Sequence, residues 1–191
     1  PLILVIPAKC VFVGSPRSGS HFIHSALLAL YPTAQASKEH HAFIADVLTA
    51  SRMNGGLPIY SIARDPVEQL FSFYWNSLQK YPDRIITDTF ATFIKGRRPK
   101  NVPFNKAIDF PPGDLTTYHE IATKFFPFQQ DFKKFFSFID ADLKSVQVKP
   151  TRVPGPGYYE ARLQITDADR TLVHKYFRKD YDLWKQVCDS S

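Results

Sequence analysis

Residues 11–24, VFVGSPRSGSHFIH, constrain the fold more than any other stretch of the chain. Residues typical of a buried strand come first, followed by a loop of glycine, serine and proline and then by an amphipathic helix. In this order of elements, the loop N–H groups and the positive end of the helix dipole converge on one point. The stretch therefore predicts an anion-binding loop at the carboxyl end of a strand.

The composition of the loop indicates which anion it suits. Gly14 and Gly19 allow close backbone approach and have the spacing of a Walker loop, but Ser20 and His21 stand where that loop has its lysine and its Mg²⁺-binding hydroxyl. The cation of the loop is Arg17. We therefore expect an anionic ester bound without a metal, such as a phosphosulfate, rather than a triphosphate.

A second polar loop follows the next clear strand, which is predicted at residues 57–63. The stretch 64–74, RDPVEQLFSFY, begins with Arg64 and opens a helix for which Asp65 is the expected N-cap, with Glu68 completing a capping-box pattern. Ser72 lies two helical turns further on. Because parallel strands end at one edge of a sheet, Arg64 is predicted to lie at the same edge as the first loop.

Both stretches resemble motifs of sulfotransferases, which use 3′-phosphoadenosine 5′-phosphosulfate (PAPS) and release 3′-phosphoadenosine 5′-phosphate (PAP). PRSGSHF, residues 16–22, is similar to the family's 5′-phosphosulfate loop, with arginine at the usual lysine position. RDPVEQLFS, residues 64–72, resembles its 3′-phosphate motif, most closely in the heparan-type carbohydrate enzymes. The resemblance implies that the cofactor is held by these residues: Arg17, Ser18, Gly19, Ser20, His21, Phe22, Arg64 and Ser72.

The resemblance also implies a catalytic segment at residues 38–43, KEHHAF. In the heparan-type pattern, Glu39 is the base and His41 accompanies it. In the cytosolic small-molecule pattern, Lys38 and His40 are selected. The two alignments conflict; Glu39 is favoured because the Arg64 motif also resembles the carbohydrate enzymes, and Arg17 is expected to assist catalysis.

Residues 155–162, GPGYYEAR, resemble a loop that closes on PAPS in heparan-type enzymes. This implies cofactor contacts from Gly157 and Tyr158, although Pro156 stands at the family's lysine position. The alternative is a Pro/Gly turn with Tyr158 packed on the core.

The whole chain, residues 1–191, is predicted to form one α/β domain, a P-loop-like three-layer fold with a central parallel sheet flanked by helices. The helix at 88–95 is expected to be capped by Asp88, and one long C-terminal helix is expected to begin at Thr166. Strands are predicted at 9–14, 34–38, 57–63 and 145–149, and further helices at 21–30, 44–52, from 66, 115–126 and 129–138.

The composition limits the classes of ligand and partner that we expect. The net charge of +6 favours an anionic ligand, but the densest basic run, residues 96–100, is typical of a solvated loop rather than a nucleic-acid surface. Two cysteines are too few for a disulfide framework or a zinc site, and no metal cofactor is expected. The apolar residues 1–7 are too short to span a membrane. We expect a small-molecule or glycan acceptor and a cytoplasmic protein, or alternatively the lumenal domain of a longer anchored one.

Two other classes of function remain open from the sequence. One is a nucleotide kinase or NTPase with a degenerate loop, which would require Mg²⁺ and a lysine. The other is a non-catalytic module in which Arg17 and Arg64 only bind a nucleotide or polyanion.

The choice of base gives the first prediction. Loss of a general base costs about 10²–10⁴ in rate, so Glu39→Gln is expected to lower kcat by that order while PAP binding persists. His41→Ala should lose less and His40→Ala least, as measured by sulfate transfer from labelled PAPS. An inactive His40→Ala protein together with near-normal turnover of Glu39→Gln would select Lys38 and His40 instead.

Overall fold

The computed structural model describes residues 2–14, 17–36, 44–80, 89–97, 121–128, 132–148 and 155–190. These residues form a mixed α/β fold around a five-stranded, mostly parallel sheet with the order β3-β1-β2-β4-β5. The strands are β1 (Leu2–Ile6), β2 (Cys10–Gly14), β3 (Gln35–Ala36), β4 (Ile59–Ala63) and β5 (Lys124–Pro127). The helices are α1 (Ser20–Leu30), α2 (Ile44–Met53), α3 (Pro66–Lys80), α4 (Phe90–Arg97), α5 (Lys133–Phe138), α6 (Tyr158–Arg162), α7 (Asp167–Tyr176) and α8 (Arg178–Asp189).

The direction of β1 corrects the expectation of a wholly parallel sheet. β2 pairs in parallel with β4, and β4 with β5, but β1 runs antiparallel to both of its neighbours, β2 and β3. The reason is the short connection at residues 7–9, which brings Ile6 opposite Cys10. So short a connection joins only antiparallel strands, because a parallel pair needs a long crossover.

The sheet is buried on both faces because its central strands are almost wholly apolar. Val11 and Val13 of β2 face α2 and α8, where they pack in one cluster with Val47 and Leu183. The alternate residue, Phe12, faces α1 and α5 in a second cluster. Continuous apolar runs are typical of parallel strands covered on both sides. A third cluster joins α3, α4 and α6 through aromatic rings, with Phe71 near its centre.

Several predicted elements are confirmed with small changes of boundary. The strands at 9–14 and 57–63 and the helices at 21–30 and 44–52 are β2, β4, α1 and α2. The capping box at Thr166 is present, since Thr166 N–H donates to the Asp169 carboxylate (3.0 Å) and Asp169 N–H donates to Thr166 Oγ1 (3.2 Å).

The helix predicted at 115–126 is wrong over its described part, because residues 124–127 form β5. Phe125 and Phe126 point to opposite faces of the sheet and are both buried, which an amphipathic helix does not achieve with adjacent residues. Residues 115–120 lie outside the described part of the chain.

The edge strand predicted at 145–149 is also wrong over residues 145–148. Leu143–Ser145 forms a 3₁₀ turn, because the Asp142 carboxylate accepts from Lys144 N–H (2.9 Å) and the Asp142 carbonyl accepts from Ser145 Oγ (2.7 Å). Val148 packs against the α1–α5 cluster without joining the sheet.

Two helix boundaries differ from the prediction. The long C-terminal helix is divided into α7 and α8, since Phe177 has φ −123° and ψ 38° and is buried in the third cluster. The cap of α4 is Thr89, whose Oγ1 accepts from Thr92 N–H (3.2 Å), whereas Asp88 lies outside the described residues. Within the described residues, no helix has the length and apolar character needed to cross a membrane.

The two cysteines are predicted to differ in reactivity. Cys10 is buried in β2, where desolvation raises the pKa of its thiol to about 12, whereas Cys188 lies exposed on α8. Because the thiolate is the reactive form, a thiol reagent should modify one cysteine in the native protein and both in guanidinium chloride. The Cys188→Ser protein should show no rapid native reaction. A fast native reaction of that variant would show that β2 is accessible.

Candidate functional site

The site is set by two adjacent parallel strands that end at the same edge of the sheet. Val13 of β2 pairs with Ser61 of β4, and Ser61 Oγ donates to the Val13 carbonyl at 2.8 Å. The loop after β2 leads into α1, and the loop after β4 leads into α3. The two predicted phosphate motifs therefore start side by side, as the parallel pairing requires.

Two glycines make the first loop tight. A Cβ on Gly14 would collide with the Ser20 side chain, so the strand end and the start of α1 touch at this point. Gly19 has φ 73°, and a Cβ there would collide with the Phe132 ring. Both glycines thus allow close approach of the chain's own side chains, and close approach of a ligand to this backbone stays a prediction.

Three predicted phosphate-binding residues are joined directly. Arg64 Nη1 donates to the Arg17 carbonyl at 2.6 Å, across 47 residues of sequence. Arg17 Nη2 donates to the Ser72 carbonyl at 3.2 Å, across 55 residues. The two motifs thus form one site, with two guanidinium groups beside the N-terminus of α1.

Arg64 is enclosed on several sides. Its side chain is 14% exposed, and its guanidinium lies over the Phe128 ring, 4.6 Å from the centroid. Nη2 is 3.9 Å from the Glu68 carboxylate, which itself accepts from Arg162 Nε at 2.7 and 2.8 Å. Nε of Arg64 is buried and has no hydrogen-bond partner among the described residues. Glu68 is therefore shared by two arginines and lies closer to Arg162 than to Arg64.

Asp65 caps α3 as predicted, because its carboxylate accepts from Val67 N–H at 2.8 Å. Burial raises the pKa of Asp65, and the hydrogen bonds from the N–H groups of Val67 and Glu68 oppose that rise. The Glu68 carboxylate accepts hydrogen bonds from Arg162, and these bonds between the two side chains raise the pKa of Arg162. Asp65 thus orients the helix that carries Ser72.

The other predicted residues of the first loop vary in accessibility. Ser18 is fully buried and Ser20 nearly so, whereas His21, Phe22 and Arg17 are half-buried. The Phe22 ring stacks on Phe132 with centroids 5.6 Å apart. Ser18 is thus buried in its backbone and hydroxyl alike, and Arg17, His21 and Phe22 are more accessible.

Gly157 and Tyr158 lie against α3. Gly157 has φ 77° and precedes α6, and its Cα faces Trp75. The Tyr158 side chain is buried against Phe71 and Trp75, with centroids 5.5 and 6.1 Å away. Tyr158 thus has the core packing of the alternative interpretation, and its contact with a cofactor stays a prediction.

The four predicted residues of the catalytic segment, Lys38, Glu39, His40 and His41, lie outside the described residues. The region at 98–120, between α4 and β5, does too. Their assignments stay predictions.

Sequence reasoning missed Phe128 and Phe132, which lie beside Gly19 and Arg64. Phe128 directly follows β5, the next parallel strand of the sheet. The two adjacent phenylalanines at 125–126 were the available signal: as a buried strand, they would have placed Phe128 at the same sheet edge.

The candidate site combines the Arg17 and Arg64 side chains with the loop that leads into an eleven-residue helix, and both kinds of group suit an anionic ligand. Among the described residues, no three His, Cys, Asp or Glu side chains are grouped to hold a metal ion. Comparisons of the chain with models of known families, with curated proteins and with solved structures give no match.

The collision at Gly19 gives a stability prediction. Gly19→Ala should lower the free energy of unfolding by about 1–2 kcal/mol, because alanine must adopt the left-handed conformation. Crowding against Phe132 should lower it by about 1–3 kcal/mol more. Gly56 is the matched control, since it has φ 75° and open space around its Cα. Gly56→Ala should therefore show only the conformational loss of about 1–2 kcal/mol in the free energy of unfolding, as measured with urea. Equal losses in the two variants would contradict the described packing of the loop.

Proposed function

We propose that the protein is a PAPS-dependent sulfotransferase that moves a sulfuryl group to a hydroxyl or amine, with a carbohydrate acceptor favoured. The contact of Arg17 with both Arg64 and the Ser72 carbonyl carries the proposal. Each motif alone is compatible with an ordinary turn before a helix. The parallel pairing of β2 with β4 brings the two loops together, and there the Arg64 side chain bonds to the Arg17 main chain within the two stretches that resemble the cofactor motifs.

The two ends of the donor would be held by different parts of the site. Arg17 and the N–H groups at the start of α1 bind the 5′-phosphosulfate, and Arg64 with Ser72 binds the 3′-phosphate. Guanidinium groups suit both ends because they form paired, charge-assisted hydrogen bonds with oxyanions. The 3′-phosphate contact distinguishes this donor from ATP.

The transfer is a single displacement at sulfur. An acceptor oxygen attacks the sulfur, the bond from sulfur to the bridging oxygen breaks, and PAP departs with the electron pair of that bond. The acceptor proton passes to Glu39 or His41, with Lys38 and His40 as the alternative pair. Arg17 stabilises the charge that grows on the bridging oxygen, so positioning and electrostatics supply most of the rate. Ser20 and His21 at the Walker positions favour a reaction without a metal ion.

We also infer that the fold is a P-loop-like three-layer α/β domain. Helices α1 and α5 pack on one face of the sheet and α2 and α8 on the other. The tight connection from β2 into α1 supports the same inference, as does the adjacent parallel strand β4.

The predicted 3′-phosphate contact can be measured by calorimetry. PAP should bind much more tightly than AMP, and Arg64→Ala should weaken PAP binding by about 1.5–3 kcal/mol, the contribution of a charge-assisted hydrogen bond. Arg178→Ala is the control, because Arg178 lies on α8 with its side chain 80% exposed. Unchanged PAP affinity in Arg64→Ala would refute the assignment.

Transfer from labelled PAPS in the presence of EDTA separates the remaining classes. Product formed with a hydroxyl acceptor supports the proposed enzyme. Tight PAP binding with no transfer to any of a panel of glycans, phenols and amines would identify a binding module. ATP binding that requires Mg²⁺ would identify a kinase-like protein.

A further inference from the structure

Phe128 is anchored where the two phosphate motifs meet. Its N–H donates to the Ala63 carbonyl at 2.7 Å, which ties it to the residue directly before Arg64. Phe126 pairs with Ile62 and Pro127 with Ala63 in the last register positions of β5 and β4. The backbone of Phe128 is thus fixed by the sheet itself.

The ring of Phe128 is held between the first loop and Arg64. It meets the Phe132 ring edge to face, with centroids 5.3 Å apart, and its Cε2 would lie 3.2 Å from a Cβ on Gly19. The Arg64 guanidinium covers the ring at 4.6 Å. The ring remains 36% exposed, so it lies at the boundary between the core and the site.

An aromatic ring and a carboxylate hold a guanidinium group in different ways. A carboxylate holds a guanidinium through its N–H groups, which are the groups an oxyanion ligand needs. A ring beside a guanidinium accepts none of its in-plane N–H groups. In Arg64, Nη1 already donates to the Arg17 carbonyl, so this hydrogen bond and the Phe128 ring together hold the guanidinium. Glu68 lies 3.9 Å from Nη2, so the ring contact complements a looser ionic one.

We propose that Phe128 is a positioning residue of the anion site, which holds Arg64 ready to bind the 3′-phosphate; this rests on the function proposed above. An arginine side chain has many rotamers, and fixing one on binding costs affinity. Phe128 restricts the rotamers of Arg64 before the ligand binds, so less of that cost remains on binding. Its effect on the ligand passes through Arg64 and not through a contact of its own.

Calorimetric titration with PAP tests this positioning. Phe128→Leu keeps an apolar side chain but removes the ring, and should weaken PAP binding about two- to tenfold, the cost of ordering one long side chain. Phe128→Tyr keeps the ring face and should restore the affinity. AMP, which lacks the 3′-phosphate, should bind all three proteins equally.

Phe138→Leu is the matched control. Phe138 is 49% exposed and carries Lys124 over its ring at 4.4 Å, near the opposite end of β5. The same substitution therefore removes a similar cation–ring contact away from the site. PAP affinity should not change in this protein, and an equal loss in both proteins would overturn the proposal.

A double variant separates positioning from direct contact. When Arg64 is already alanine, Phe128→Leu should cause no further loss of PAP affinity. A loss that persists in the Arg64→Ala background would mean that the ring touches the nucleotide, which overturns the positioning role. Phe128→Met serves as the ringless variant if thermal melting shows that Phe128→Leu does not fold, and Arg64→Lys replaces Arg64→Ala in the same case.

The same titrations distinguish the two proposals. If Arg64→Ala leaves PAP affinity unchanged, the proposed function fails and the role of Phe128 fails with it. If Arg64→Ala weakens PAP binding and Phe128→Leu does not, only the role of Phe128 is overturned.

Discussion

The parallel pairing of β2 with β4 is the constraint on which the rest of the molecule depends. It brings Val13 beside Ser61 and so places the loops after both strands at one sheet edge. The strands can pair there because their side chains are buried on both faces, under helices that arise from distant parts of the chain. Arg17 and Arg64 meet as a consequence of this pairing, and their hydrogen bond closes the site.

The acidic side chains described near Arg64 make structural contacts of their own. Glu68 lies between Arg64 and Arg162 and pairs more closely with Arg162. Asp65 caps the N-terminus of α3 with its carboxylate, and burial raises its pKa. Neither carboxylate therefore forms a close ion pair with Arg64.

The sequence predicted best where local chemistry and global packing agree. The loop at 14–20 and the cap at Asp65 combine turn residues with strong periodicity, and the structure brings both motifs together as expected. Residues 124–127 were misread because paired phenylalanines suit a helix or a buried strand equally, and only pairing with β4 decides between them. β1 was not predicted as a strand: residues 1–7 were noted only as an apolar run, which reveals neither the strand nor its direction. Phe128 was missed together with β5: once residues 115–126 are interpreted as a helix, nothing places residue 128 at the sheet edge where it contacts Arg64.

β1 and β2 pair across the short connection at residues 7–9, so joining them closes a small loop at little entropic cost. β4 reaches β2 only after residues 15–58, and the whole first loop and α1 lie within that interval. The proposed anion site is therefore complete only when the long-range half of the sheet has assembled. Because the site depends on the β2–β4 pair, an anion bound there would stabilise the folded state as a whole rather than one loop.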